Sequence, residues 1–158
     1  MAGLGVSECF RCIKLVNIAP VLAILDRLPF FTANQSNVAK YQCDVVVRSQ
    51  FTPELHAIIA SLGLGGMQAR VILRRLGARQ SIPPHIDEWM PEQSKWRRFQ
   101  VPLVSHPEIK MRWPNDGVEV HLAPGFLYEV RFDRLHEVVN PADVERIHLQ
   151  VDQIDATI

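Results

Sequence analysis

From Ala69 onward the chain reads as one short strand after another, and this pattern restricts the possible folds more than any other feature. Apolar and β-branched runs occupy Ala69–Leu76, Arg97–Val104, Ile109–Trp113, Val118–Leu122, Phe126–Phe132, Leu135–Val139 and Glu145–Val151. Turn residues separate several of them: Gly77, Asn115-Asp116-Gly117, Pro124-Gly125 and Asn140-Pro141-Ala142-Asp143. Short, closely spaced strands with such turns predict a sandwich or barrel. A jelly roll is the architecture expected, with an immunoglobulin-like sandwich as the alternative.

The first sixty residues differ. Val21–Leu28 is expected to form a short helix after Pro20, and Cys43–Arg48, with its Val-Val-Val run, a strand. Thr52-Pro53 is a helix start, with Thr as cap and Pro in the first turn. Leu55, Ile58, Ile59 and Leu62 follow at helical spacing, and Gly63, Gly65 and Gly66 end the run. These helices should cover one sheet. At 158 residues, one domain is expected over 1–158, with 1–66 as N-terminal support and 67–155 as the β core.

Seventeen basic residues balance seventeen acidic ones. No global field then draws the chain onto nucleic acid or an anionic membrane, so neither is an expected partner. Ile13–Phe31 is the most apolar stretch, but Lys14, Asn17, Pro20, Asp26, Arg27 and Pro29 interrupt it too often for a membrane span or signal peptide. Three cysteines without a secretory signal argue against a disulfide framework and point to the cytoplasm. Cys9-x-x-Cys12 has no second ligand pair for zinc and reads as packing thiols.

The chemistry-bearing residues lie in the second half. In an extended segment alternate side chains share a face, so His85 and Asp87 point the same way and Ile86 points back. His136 and Arg146 lie symmetrically about the turn at residue 141. A hairpin there would set an imidazole beside a guanidinium, with Cβ atoms roughly 5 Å apart. In the last strand Ile147, Leu149 and Val151 alternate with Arg146, His148, Gln150 and Asp152. The apolar set should pack against the helices and the polar set should face a cavity or water. An Arg inside a barrel needs an anionic partner, and a ligand carboxylate suits its two-pronged geometry. Two imidazoles and one carboxylate suit non-haem Fe(II). A catalytic zinc takes the same set, although no His-Glu-x-x-His helix is present and Arg146 would have no evident task there.

Five ordered pieces between Arg70 and Asp155, a little more than half the chain, resemble the aspartyl/asparaginyl β-hydroxylase family of 2-oxoglutarate oxygenases. They are Pro83-Pro84-His85-Ile86-Asp87, Arg98-Phe99-Gln100-Val101-Pro102-Leu103, Pro124-Gly125-Phe126-Leu127-Tyr128-Glu129-Val130, Leu135-His136-Glu137-Val138-Val139-Asn140 and Glu145-Arg146-Ile147-His148-Leu149-Gln150-Val151-Asp152. The resemblance implies a double-stranded β-helix, the cupin-like jelly roll already expected. It implies Fe(II) held by His85, Asp87 and His136, and 2-oxoglutarate held through its distal carboxylate by Arg146, with Arg98 as a second cosubstrate or substrate contact. Molecular oxygen would be the oxidant and hydroxylation the outcome. Some protein-hydroxylating members lack the carboxylate supplied here by Asp87, and carry a His where this chain has Gln100.

The expected substrate is an aspartyl, asparaginyl or related amino-acid group, free or in a peptide. A free amino-acid or small-metabolite hydroxylase is the alternative within the class, and a non-catalytic metal-binding jelly roll the alternative outside it. Glu88–Lys95 is polar and expected to act as a lid. Trp89, Trp96 and Trp113 read as core or rim packing. Arg70, Arg74, Arg75 and Arg79 read as a solvated basic face.

Overall fold

A computed structural model of the chain describes residues 8–34, 42–87 and 95–154. In chain order the strands and helices are β1 (Phe10–Leu15), α1 (Ala19–Leu22), β2 (Phe31–Asn34), β3 (Gln42–Val47), α2 (Pro53–Ser61), β4 (Met67–Leu76), β5 (Ile82–His85), β6 (Trp96–Val104), β7 (Lys110–Trp113), β8 (Val118–Val120), β9 (Phe126–Val130), β10 (His136–Val139) and β11 (Arg146–Ile154). They form a seven-stranded sheet, β1-β9-β6-β11-β4-β3-β2, and a four-stranded sheet, β5-β10-β7-β8. Every pairing is antiparallel. This is the expected jelly roll.

The helices cover the outer face of the large sheet. The Thr52 hydroxyl accepts a hydrogen bond from the Leu55 amide at 3.4 Å and Pro53 occupies the first turn, so α2 starts where its sequence requires. Nine residues are marginal as an isolated helix. What holds α2 is burial of Leu55, Ile58 and Ile59 against Leu73, Val101, Leu149 and Val151. A second core joins the inner faces of the two sheets through Leu76, Ile82, Met111, Trp113, Tyr128, Val130 and Val138. Trp113 is therefore core. Trp89 lies outside the described residues, as do residues 88–94 of the expected lid.

Several elements differ from the sequence reading. The expected helix over Val21–Leu28 is one α turn, α1, followed by a 3₁₀ turn at Leu25–Arg27. Strands β1, β2 and β5 were not expected. β1 is an edge strand with Ile13 and Leu15 exposed, so no buried alternation marks it. β5 contains Pro83 and Pro84, which lack the N–H of a central strand but are tolerated at the edge of the small sheet, where β5 lies.

The expected hairpin of β10 with β11 does not form. β10 pairs with β5 and β7, whereas β11 lies between β4 and β6. His136 and Arg146 therefore stand on opposite sheets. The turn between them is anchored from outside. The Asn140 side-chain amide donates to the carbonyls of Gly77 at 3.1 Å and Val144 at 2.9 Å, and the Arg79 amide donates to the Ala142 carbonyl at 3.0 Å. These bonds fasten residues 140–144 to the end of β4 and carry the chain across to the large sheet.

Among the described residues no helix is long and apolar enough to cross a membrane. The packing predicts that Leu149→Ala, at a fully buried position, destabilises the protein by about 2–5 kcal/mol in urea unfolding. Leu15→Ala, 73% exposed, should stay within about 0.5 kcal/mol of wild type.

Candidate functional site

His85 ends β5 and His136 begins β10, and the sheet register pairs them directly. Their rings lie 4.3 Å apart between centroids, tilted by 53°. Asp87 follows two residues after His85, its amide donating to the Phe132 carbonyl at 3.3 Å. His85 Nε2 is 3.5 Å from one Asp87 oxygen and His136 Nε2 is 3.9 Å from the other. The three side chains can each offer one ligand atom, all within 4.8 Å of one another.

Backbone carbonyls orient both imidazoles. His85 Nδ1 lies 2.8 Å from the Pro83 carbonyl oxygen and His136 Nδ1 lies 2.7 Å from that of Arg134. A carbonyl only accepts, so each Nδ1 carries a hydrogen, and in the neutral imidazole Nε2 is the nitrogen with the lone pair. Burial drives the His136 pKa down to about 4, with His85 adding to the effect. At neutral pH its contact with Asp87 is thus not an ion pair. Burial alone would raise the Asp87 carboxyl. Arg98 first, then His136 and His85, outweigh it and hold the group below its ordinary value. Two lone-pair nitrogens and an ionised carboxylate converge on one point. That donor set fits a divalent transition metal, with the carbonyl bonds as the outer support such ligands require.

The opposite wall is the inner face of the large sheet. Arg146, His148, Gln150 and Asp152 alternate along β11 with Ile147, Leu149 and Val151, which pack toward the helices. All four polar residues are buried. Gln100 Oε1 accepts from Arg146 Nη2 at 3.3 Å and from His148 Nδ1 at 2.9 Å. Burial, then the Arg146 charge, then His121 hold His148 well below its ordinary pKa. His148 Nε2 is buried with no hydrogen-bond partner among the described residues.

Arg98 lies between the walls. It donates to Asp87 from Nη1 and to Asp152 from Nε and Nη2, so three of its five N–H groups hold protein carboxylates. Only the other two remain for the cosubstrate contact expected of it. The basic cluster is not one solvated face. Arg70 is half-buried against Asp152, Arg75 bonds Asp44 and covers Phe30, and exposed Arg79 pairs with Asp143. Cys9 is buried, while Cys12 is exposed. The sequence reading had given no role to Asp152, Gln100 or His148. The alternation along β11 marks His148 and Asp152 as cavity-facing, whereas Gln100, on β6, carries no such signal.

No family model matches the sequence, and no curated protein is similar to it. Solved structures are. An oxidoreductase of the 2OG-Fe(II) oxygenase family from Burkholderia pseudomallei is 16% identical, with a TM-score of 0.64 over 92% of this chain and 86% of that one. The non-heme alpha-ketoglutarate-dependent epimerase SnoN from nogalamycin biosynthesis is 17% identical, with a TM-score of 0.66 over 94% and 79%. A Pseudomonas putida prolyl-4-hydroxylase is 14% identical, with a TM-score of 0.66 over 99% and 100%. At these identities the likeness is one of fold. The chain shares its jelly-roll fold with these proteins.

The buried histidines set a pH dependence. His136 titrates near 4 in the folded protein and about 6.5 unfolded. Between those values the unfolded chain binds a proton that the folded one does not. Stability of the metal-free protein should therefore fall as pH drops from about 6.5 to about 4, by roughly 1.4 kcal/mol per pH unit for each such histidine. His148 acts in the same direction. Urea unfolding at a series of pH values should show a shallower slope in His136→Gln; an unchanged slope would contradict the assignment.

Proposed function

We propose that this chain is an iron(II)- and 2-oxoglutarate-dependent oxygenase of the aspartyl/asparaginyl β-hydroxylase type, acting on an aspartyl, asparaginyl or related amino-acid group. The observation that carries the reading is the convergence of His85, Asp87 and His136, with both imidazoles turned by backbone carbonyls so that Nε2 faces the carboxylate. The fold neighbours support it.

In this reading His85 and His136 supply Nε2 and Asp87 supplies an oxygen to iron. Bound iron supplies the activation of molecular oxygen, coupled to oxidative decarboxylation of 2-oxoglutarate to succinate and carbon dioxide. The other residues bind and orient. Arg146, buried in the inner wall, grips the distal carboxylate of the cosubstrate. Gln100 fixes the guanidinium from one side. The orphaned His148 Nε2 is a buried acceptor of the kind that a ligand or an ordered water satisfies. The apolar residues shared by the two sheets exclude bulk water.

Succinate formation from 2-oxoglutarate, with Fe(II) and oxygen, tests the class. His85→Ala, Asp87→Ala and His136→Ala should each remove most of it, and full turnover in His136→Ala would overturn the metal site. Arg146→Ala should raise the 2-oxoglutarate requirement by tens- to thousands-fold, since truncating one partner of a buried charge pair costs roughly 2–5 kcal/mol. Arg146→Lys should be intermediate, because it keeps the charge and loses the fork. Mass spectrometry after incubation with amino acids and with Asp- or Asn-containing peptides tests the substrate, through a gain of one oxygen.

A further inference from the structure

Arg98 lies side-on against Asp152, with Nε to Oδ1 at 2.7 Å and Nη2 to Oδ2 at 3.1 Å. Its remaining nitrogen, Nη1, reaches Asp87 Oδ2 at 2.6 Å. Asp152 is fully buried and held from three directions. Besides Arg98, it accepts from Arg70 Nε at 3.1 Å, contacts Arg70 Nη2 at 2.9 Å, and accepts from Gln150 Nε2 at 3.0 Å. Arg70, Asp152 and Arg98 are direct cross-strand partners on β4, β11 and β6. The backbone register therefore aligns the row, and the row ends on Asp87.

We propose that Asp152 and Arg98 are positioning residues for Asp87: Asp152 locks the Arg98 guanidinium so that it takes Oδ2 of Asp87 and turns Oδ1 toward His85. The proposal rests on the reading of His85, Asp87 and His136 as metal ligands. A free carboxylate can present both oxygens to a metal. A short charge-assisted hydrogen bond withdraws one of them, so the carboxylate occupies one coordination position and another stays open for small ligands. A planar fork fixed on Asp152 can do this, because holding Nε and Nη2 fixes the plane and position of Nη1. An ammonium in its place has the charge but cannot span both carboxylates.

The test uses the full chain and the metal alone, without 2-oxoglutarate. Mn(II) affinity and the Co(II) d–d spectrum are measured for wild type, Arg98→Lys, Asp152→Asn and Arg146→Ala, each checked for folding by circular dichroism. Outer-shell changes of this kind weaken metal binding by about ten- to a hundred-fold. Arg98→Lys and Asp152→Asn should both show that loss, together with an altered Co(II) spectrum, while Arg146→Ala keeps wild-type affinity and spectrum. Should Asp152→Asn fail to fold, Arg98→Lys decides alone. Folded Arg98→Lys with wild-type Mn(II) affinity and Co(II) spectrum overturns the proposal. A weaker 2-oxoglutarate affinity in that variant, with the metal properties unchanged, makes Arg98 a direct cosubstrate contact instead. A wild-type chain that binds neither metal removes the metal centre itself, and the proposal with it.

Discussion

Strand β11 must satisfy two environments at once. It lies between β4 and β6, paired along both edges, and is buried from Arg146 to Gln153. Ile147, Leu149 and Val151 enter the helix-covered core, and Arg146, His148, Gln150 and Asp152 enter the space between the sheets. A slip of one residue would exchange the two sets and drive two charges and two polar groups into an apolar core. The hydrophobic pattern therefore fixes the register, and the register places Asp152 between Arg70 and Arg98. The polar site is a consequence of how the apolar face packs.

Burying that row does not explain itself as stabilisation. Removing ions from water is expensive, and apolar replacements of similar volume are often at least as stable. What the row provides is position. Asp152 is saturated by Arg98, Arg70 and Gln150, and the Arg98 guanidinium stacks over the Phe132 ring at 4.9 Å. Each charge in it has a partner, which holds Asp87 and Asp152 ionised despite their burial. A side chain with this many bonds has little freedom left, and a group that must present one oxygen in one direction needs that restriction.

The sequence made some of this legible. The i, i+2 geometry of an extended segment put His85 and Asp87 on one face, and the turn-separated runs disclosed the jelly roll. The pairing of β10 was not legible. Residues symmetric about Pro141 read as a hairpin because a local pattern cannot show that Asn140 bonds to Gly77, far back in the chain, or that β4 and β6 already flank β11. β5 was hidden by its prolines and β1 by its exposure. The family resemblance offers Arg98 to the cosubstrate or substrate, and the rule that a buried cation needs an anion applies to it as it does to Arg146. For Arg98 the anions are two of the chain's own carboxylates, one of them on β11, which the sequence alone does not place beside it.

The candidate centre draws on both walls of the jelly roll. His85 and His136 belong to the small sheet, Arg98 and Asp152 to the large one, and Asp87 joins them through its carboxylate to Arg98 and its backbone amide to Phe132. Among the described residues no donor is bonded to either imidazole Nε2. Three electron-rich groups thus face one another, and Arg98 compensates only the carboxylate. A cation placed among them would relieve the repulsion between nitrogens that their carbonyl bonds prevent from turning away. Because those nitrogens lie on one sheet and the clamp on the carboxylate lies on the other, a metal bound among them would link its affinity to the docking of the two sheets.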